Sequence, residues 1–258
     1  MQVLGIDIGG SGIKAAVVEV DTGTLVTDRL RVPTPSPSTP DAVARRVGDL
    51  VRELVWSGPA GSTFPAVIHQ GIARTAANVD HSWIGTDVAA VLSGAVGSEV
   101  TVLNDADAAG LAEMRIGAGR GTHGTVVMLT FGTGIGSGLF VHGVLVPNTE
   151  FGHLELRGRE VEQMAADAVR EREGLTWSKW ARRVQRYLRH LEMLLSPDLF
   201  ILGGGPSKRA DQWMNEIDIG TPVRVAELLN NAGIVGVAMA AAEANGDCRN
   251  LSLRAEPL

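Results

Sequence analysis

Leu4-Gly5-Ile6-Asp7-Ile8-Gly9-Gly10-Ser11-Gly12-Ile13-Lys14, followed at once by Ala15-Ala16-Val17-Val18-Glu19-Val20, is the stretch that decides the fold. An apolar run, a glycine turn and a second, β-branched apolar run read as a β-hairpin. The pattern recurs at Thr125-Val126-Val127-Met128-Leu129-Thr130-Phe131-Gly132-Thr133-Gly134-Ile135-Gly136-Ser137-Gly138, which runs on into Leu139-Phe140-Val141. Laid without gaps, Gly132 falls on Gly9 and Thr130 on Asp7. Such an internal echo points to two related halves.

Outward from these hairpins, strands alternate with helices. Thr39-Pro40-Asp41 reads as a helix start, with Thr39 as N-cap, and Val43, Val47, Leu50, Val51 and Leu54 follow at helical spacing. A strand is expected at 64–68, another at 25–32, and a short buried one at 100–103 that ends in Asn104-Asp105 and feeds a helix. A long amphipathic helix, 176–195, precedes Leu199-Phe200-Ile201-Leu202-Gly203-Gly204-Gly205, a strand ending in a third glycine loop. The pattern predicts an α/β protein of two similar lobes, 1–107 and 108–258, with the C-terminal helix packing back on the first.

Composition narrows the function. The 258 residues carry a net charge of −6, which argues against nucleic acid as a partner. The single cysteine, Cys248, excludes an intrachain disulfide and a multi-cysteine zinc site. The longest apolar run, 232–242, is too short to span a bilayer, and no leader-like start precedes Val3, so a cytoplasmic protein is expected. Glycine is the informative excess: 32 residues, against roughly 7% of an average chain.

Three glycine clusters at strand ends suit a phosphate ligand, because backbone N–H groups can converge where no Cβ intervenes. The candidates are Gly9, Gly10, Ser11 and Gly12; Thr130, Gly132, Thr133 and Gly134; and Gly203, Gly204 and Gly205. No Gly-Lys dipeptide exists, so a Walker loop is absent. Gly10-Ser11-Gly12-Ile13-Lys14-Ala15 matches a permissive dinucleotide fingerprint but opens a strand rather than a helix. Asp7, a carboxylate inside an apolar strand, is expected to meet Mg²⁺ directly or through water. Lys14 meets either phosphate or solvent. Asp105 stands where an N-cap and a catalytic base are equally plausible. Glu150, His153 and Glu162 suit hydroxyl groups. Lys208 and Arg209 follow the third glycine loop, and Lys179, Arg182, Arg183, Arg186 and Arg189 line one helix face, offering positive charge to an extended polyanion.

Asp7-Ile8-Gly9-Gly10-Ser11-Gly12-Ile13-Lys14, Leu103-Asn104-Asp105-Ala106, Leu129-Thr130-Phe131-Gly132-Thr133-Gly134-Ile135-Gly136 and Leu202-Gly203-Gly204-Gly205 together resemble the ROK sugar kinases, of the actin/hexokinase/Hsp70 superfamily. Arg74-Thr75-Ala76-Ala77-Asn78-Val79-Asp80, Ser82-Trp83-Ile84-Gly85-Thr86-Asp87 and Pro147-Asn148-Thr149-Glu150-Phe151-Gly152-His153-Leu154-Glu155 are similar to the members that use polyphosphate and glucose. The resemblance implies a two-lobed actin-like ATPase fold with duplicated ribonuclease-H-like lobes closing over a cleft. It implies transfer of phosphate from inorganic polyphosphate, or ATP, to the 6-hydroxyl of glucose, with Mg²⁺. It makes Asp105 the base and sets Asn78, Asn104, Glu150, His153 and Glu162 around the sugar. It also implies a homodimer. The cysteine-rich zinc motif of many members is missing between 156 and 168, so no zinc is expected. The rival expectations are an ATP-dependent kinase for another hexose, such as N-acetylmannosamine, and a non-catalytic sugar sensor.

Overall fold

The structure is a computed structural model that describes residues 1–76 and 78–246; Cys248 and the rest of 247–258 lie outside the described residues. The chain forms two compact units. One is Met1–Ile116 together with the chain from Asn231 onward; the other is Gly117–Asn230.

In the first unit β1 (Gln2–Ile8) and β2 (Ile13–Glu19) form the antiparallel hairpin, in register from Gln2↔Glu19 to Ile8↔Ile13. The strand expected at 25–32 is two pieces, β3 (Thr24–Leu25) and β4 (Leu30–Val32), each paired with β2. Between them the Thr27 hydroxyl, not a backbone carbonyl, accepts from the Val17 N–H, and the ladder breaks there. Helix α1 (Pro40–Glu53) buries Val43, Val47, Leu50 and Val51; the Thr39 hydroxyl before it makes no capping bond.

Strand β5 is Ala60–Phe64, not 64–68. Pro65 ends it because proline has no N–H to give the ladder. A short pair, β6 (Ile68–His69) and β7 (Ile72–Ala73), leads to α2 (Val88–Val96), capped by Asp87, whose Oδ1 accepts from Ala90 N at 2.9 Å. Then come β8 (Val100–Asn104) and α3 (Asp105–Ile116). The sheet order is β3-β2-β1-β5-β8, with β4 also on β2; β1, β5 and β8 run parallel.

The second unit repeats this plan. Strands β9 (Thr125–Phe131) and β10 (Ile135–Val141) form the hairpin, and β11 (Val144–Val146) extends it. After the small ribbon β12 (Glu155–Leu156) and β13 (Arg159–Glu160), helices α4 (Glu162–Ala165), α5 (Asp167–Arg172) and α6 (Trp177–Leu195) lead to β14 (Leu199–Gly204) and β15 (Val223–Val225). The order β11-β10-β9-β14-β15, with β9, β14 and β15 parallel, matches the first sheet in order and sense. The duplication is visible in the hydrogen-bond ladder itself.

Helix α7 (Ala232–Ala244), apolar except for Glu243 near its end, completes the first unit, packing on β1, β5 and α3. Glycines allow contact at backbone distance. A Cβ on Gly5 would lie 2.2 Å from Ile234 O, one on Gly61 2.2 Å from Val237 O, and one on Gly236 1.7 Å from Ala108 O. This packing corrects the expected junction at 107. Helix α3 belongs with α7, so the first unit runs to Ile116 and regains the chain at Asn231. Among the described residues no helix is long and apolar enough to cross a membrane.

Candidate active site

In the first unit the site grows from the end of β1. Asp7 faces Lys14 across the hairpin, and its Oδ2 accepts from Lys14 Nζ at 2.7 Å. Its Oδ1 accepts from the Thr63 hydroxyl at 2.9 Å, and that fully buried hydroxyl in turn accepts from Ile8 N at 3.2 Å. The charge of Asp7 is therefore compensated by Lys14, so burial alone is no argument for a cation. Lys14 is thus held against Asp7, with its side chain half-buried.

The hairpin tip is closed by Gly9 N donating to Gly12 O at 3.0 Å. Gly10 and Ser11 are exposed at the tip. The backbone of Asn78 lies over it: a Cβ on Gly10 would meet Asn78 O at 3.1 Å.

At the end of β8, Asn104 and Asp105 divide the labour. Asn104 Oδ1 accepts from Ala106 N at 2.8 Å, with Asp107 N at 3.4 Å, and Asn104 Nδ2 donates to Ala66 O at 3.2 Å. Asn104 thus supplies the cap that the sequence also allowed for Asp105. Asp105 Oδ1 shares the Ala106 N–H at 2.9 Å. Its carboxyl stays open to solvent, yet the protein mass around it displaces most bulk water. That desolvation, with the negative charge of Asp7 added, pushes the carboxyl up to about 6. A carboxyl so placed can accept a proton near neutral pH.

In the second unit the turn after Phe131 is one residue shorter than the first, with Gly132 N donating to Gly134 O at 2.9 Å. Ala168 N, at the start of α5, donates to Gly132 O. Gly203 is buried, while Gly204 and Gly205 are exposed at the end of β14. Gly204 adopts φ +89, and a Cβ there would lie 2.1 Å from Phe131 O; only glycine fits. Lys208 and Arg209 sit exposed on the turn of helix that follows.

The acid and imidazole groups gather around His153. Its Nε2 lies 4.0 Å from Glu150 Oε2, and its Nδ1 lies 3.4 Å from Glu160 Oε1 and 3.9 Å from Glu162 Oε1. The ligand atoms of His153, Glu160 and Glu162 fall within 4.8 Å of one another, an arrangement able to hold a cation. Glu162 also touches the second hairpin: its Oε2 would be 2.5 Å from a Cβ on Gly134, and Ile135 N points to it at 3.4 Å.

The family model described as the ROK family matches residues 3–167. The chain belongs to the ROK family. It is 54% identical over 237 residues to the polyphosphate glucokinase of Mycobacterium tuberculosis (strain CDC 1551 / Oshkosh), covering 92% of this chain and 89% of that one. The crystal structure of inorganic polyphosphate/ATP-glucomannokinase from Arthrobacter sp. strain KM matches with a TM-score of 0.89 at 49% identity, over 94% of this chain and 99% of that chain. A ROK family glucokinase from Streptomyces griseus, in complex with glucose and AMPPNP, shares the fold at 24% identity, with a TM-score of 0.81 over 94% and 100% of the two chains. The two matching sheets are therefore the duplicated α/β halves of the actin-like ATPase fold.

Three groups of this ROK chain escape the sequence reading: Thr63, Glu160 and Arg31. Glu160 comes next to His153 because the β12–β13 ribbon folds back on itself. Arg31 reaches Ser11 O from β4. On α6, Lys179, Arg182 and Arg186 are exposed, but Arg183 is paired with Glu173 at 2.7 Å and Arg189 lies 3.8 Å from Asp218, which leaves a shorter basic face than the sequence offers.

Proposed function

We propose that the protein transfers the terminal phosphoryl group of inorganic polyphosphate, and of ATP, to the 6-hydroxyl of glucose. Donor and acceptor are read from the relatives: the mycobacterial proteins are named polyphosphate glucokinases, and the Arthrobacter protein a polyphosphate/ATP-glucomannokinase. The observation that carries the chemistry is Asp105, whose carboxyl is raised to about 6 by desolvation and by the neighbouring Asp7 while Asn104 shares the helix end with it.

In this reading the Asp105 carboxylate accepts the proton of the sugar 6-hydroxyl as that oxygen bonds to the terminal phosphorus. The bridging P–O bond breaks, and the donor leaves one phosphate shorter. Transfer at phosphorus needs positioning and charge neutralisation more than covalent help. The turns at 9–12, 130–134 and 203–205 present backbone N–H groups to the donor, with Lys208 and Arg209 beyond the third. Asn78, Asn104, Glu150, His153 and Glu162 hold the sugar hydroxyls, and Glu160 joins them.

Asp7 and Asp105 suit Mg²⁺. Both are oxygen donors, and their mutual repulsion is what a hard cation relieves. Bound there, directly or through water, Mg²⁺ would neutralise donor phosphate charge. The same reading gives a cytoplasmic homodimer that uses no zinc.

A donor-swap assay tests the function: glucose 6-phosphate should form with polyphosphate as sole donor, and absence of turnover with both donors would favour the sugar-sensor reading. Two further outcomes are expected. Since Asp105 must be deprotonated to act, kcat/KM should fall tenfold per pH unit below about 6. A profile flat to pH 5 excludes Asp105 as the base. Glu150→Gln and His153→Ala should raise the glucose KM by roughly 10–100-fold and leave the donor KM nearly unchanged, because each removes a partner from a hydroxyl-bonding site. The reverse pattern would move both residues out of the sugar site.

A further inference from the structure

Arg31 has no part in the chemistry above, yet the sheet places it in the same row of side chains. Strand β4 sets Arg31 opposite Lys14, β1 sets Lys14 opposite Asp7, and β5 sets Asp7 opposite Thr63. Cross-strand partners share a face. One face therefore carries, in order, a guanidinium, an ammonium, a carboxylate and a hydroxyl.

The inner three satisfy one another, with Lys14 and Thr63 both donating to Asp7. The outermost does not join them. Among the described residues Arg31 has no carboxylate within ion-pair distance, and its side chain is exposed. Its Nη2 donates to Ser11 O at 3.3 Å, and a Cβ on Gly12 would lie 2.9 Å from its Nε. The bare backbone at Gly12 is thus a seat for the guanidinium across the hairpin tip. In the second unit β10 carries β11 where β2 carries β3, and among the described residues no strand there corresponds to β4. Arg31 belongs to an addition that the duplicated plan does not require.

We propose that Arg31 binds internal phosphates of the polyphosphate chain, beyond the group transferred, and so favours this donor over ATP. The proposal rests on the reading of the function given above. Two strand spacings, roughly 10 Å, separate the backbone of Arg31 from that of Asp7, and the guanidinium reaches the hairpin tip from that outer strand. A planar fork with donors to spare suits a repeating phosphate chain, which presents adjacent oxygens at every unit. A nucleotide offers only three phosphates before its ribose.

The experiment compares wild type, Arg31→Gln and Arg31→Lys, with long-chain polyphosphate and ATP as donors, at several salt concentrations, alongside thermal midpoints. Arg31→Gln should raise the polyphosphate KM about tenfold, the size of one lost charge-assisted contact, and raise the ATP KM far less. The slope of log KM for polyphosphate against log salt should drop by about 1, the signature of one lost phosphate contact. Arg31→Lys should recover part of the affinity, since it keeps charge without the fork. An unchanged polyphosphate KM and slope in Arg31→Gln, with wild type active on polyphosphate, overturns this proposal alone. Equal losses on both donors with a lowered midpoint also overturn it, leaving Arg31 as a prop for the hairpin. Wild type inactive with polyphosphate overturns the functional reading, and this proposal with it.

Discussion

Asp105→Asn should lower kcat by roughly 10² to 10⁴-fold, the usual size of a lost general base, while glucose still binds. The side chain keeps its shape, and Asn104 holds the helix cap, so the fold has no reason to suffer. The sign of the stability change separates this from damage. In the folded protein Asp105 holds its proton up to about 6, above the ordinary 3.8 of an aspartate. Below 3.8 both states are protonated and the group is neutral to stability. Between 3.8 and 6 the folded state binds more protons, so stability falls as pH rises, and above 6 the full cost persists. The asparagine removes that cost. The mutant should melt no lower than wild type at pH 7.5, and any gain should vanish near pH 4. Near-wild-type turnover in a folded mutant would remove Asp105 from the mechanism; a collapse in melting temperature would make its role structural.

The second large effect is expected far from any substrate. Gly236→Ala puts a methyl where Ala108 O stands 1.7 Å away and Ala112 N 3.2 Å away. Both are backbone atoms of α3, which cannot swing aside as a side chain tip can, so the helices must part. Overpacking of this kind costs about 1–3 kcal/mol or more. For a chain of this size each kcal/mol lowers the melting temperature by roughly 2–4 °C. Because α3 begins at Asp105, displacement of the helix should reduce kcat as well. Gly94→Ala is the control: it lies within α2 with nothing within 4 Å of the new methyl. There alanine should be neutral or stabilise by about 0.5–1 kcal/mol. Equal melting temperatures for the two mutants would refute the close α3–α7 contact.

What the sequence revealed followed from local chemistry. The hairpins around Gly9 and Gly132 are legible because apolar β-branched runs flank glycine-rich turns, and their echo anticipates two sheets of one strand order. Asn104-Asp105 is legible because a short apolar strand gives way to helix. Strand β5 is not: Ala60, Gly61, Ser62 and Thr63 lack the bulk that marks a strand, since α7 comes too close for larger side chains. The Lys14–Asp7 pair depends on cross-strand register, which a run of residues does not display. Glu160 is not legible because the ribbon that turns it toward His153 is only two residues on each side. The return of the C-terminal helix to the first lobe was legible in its apolar run; the junction differs because the contact between α3 and that helix, which keeps residues up to Ile116 in the first unit, is not written in either run alone.

That returning helix also sets the order of events during synthesis. The strands that carry Asp7 and precede Asp105 leave the ribosome first, but their sheet lacks the cover over Gly5 and Gly61 until Ala232–Ala244 has been made. The second unit is contiguous and can fold without that helix. At about 5–20 residues per second, the half bearing the base must wait on the order of ten seconds with an open apolar face. A released chain truncated before α7 would therefore present a finished second unit attached to an unfinished first, the form that a chaperone would be expected to hold.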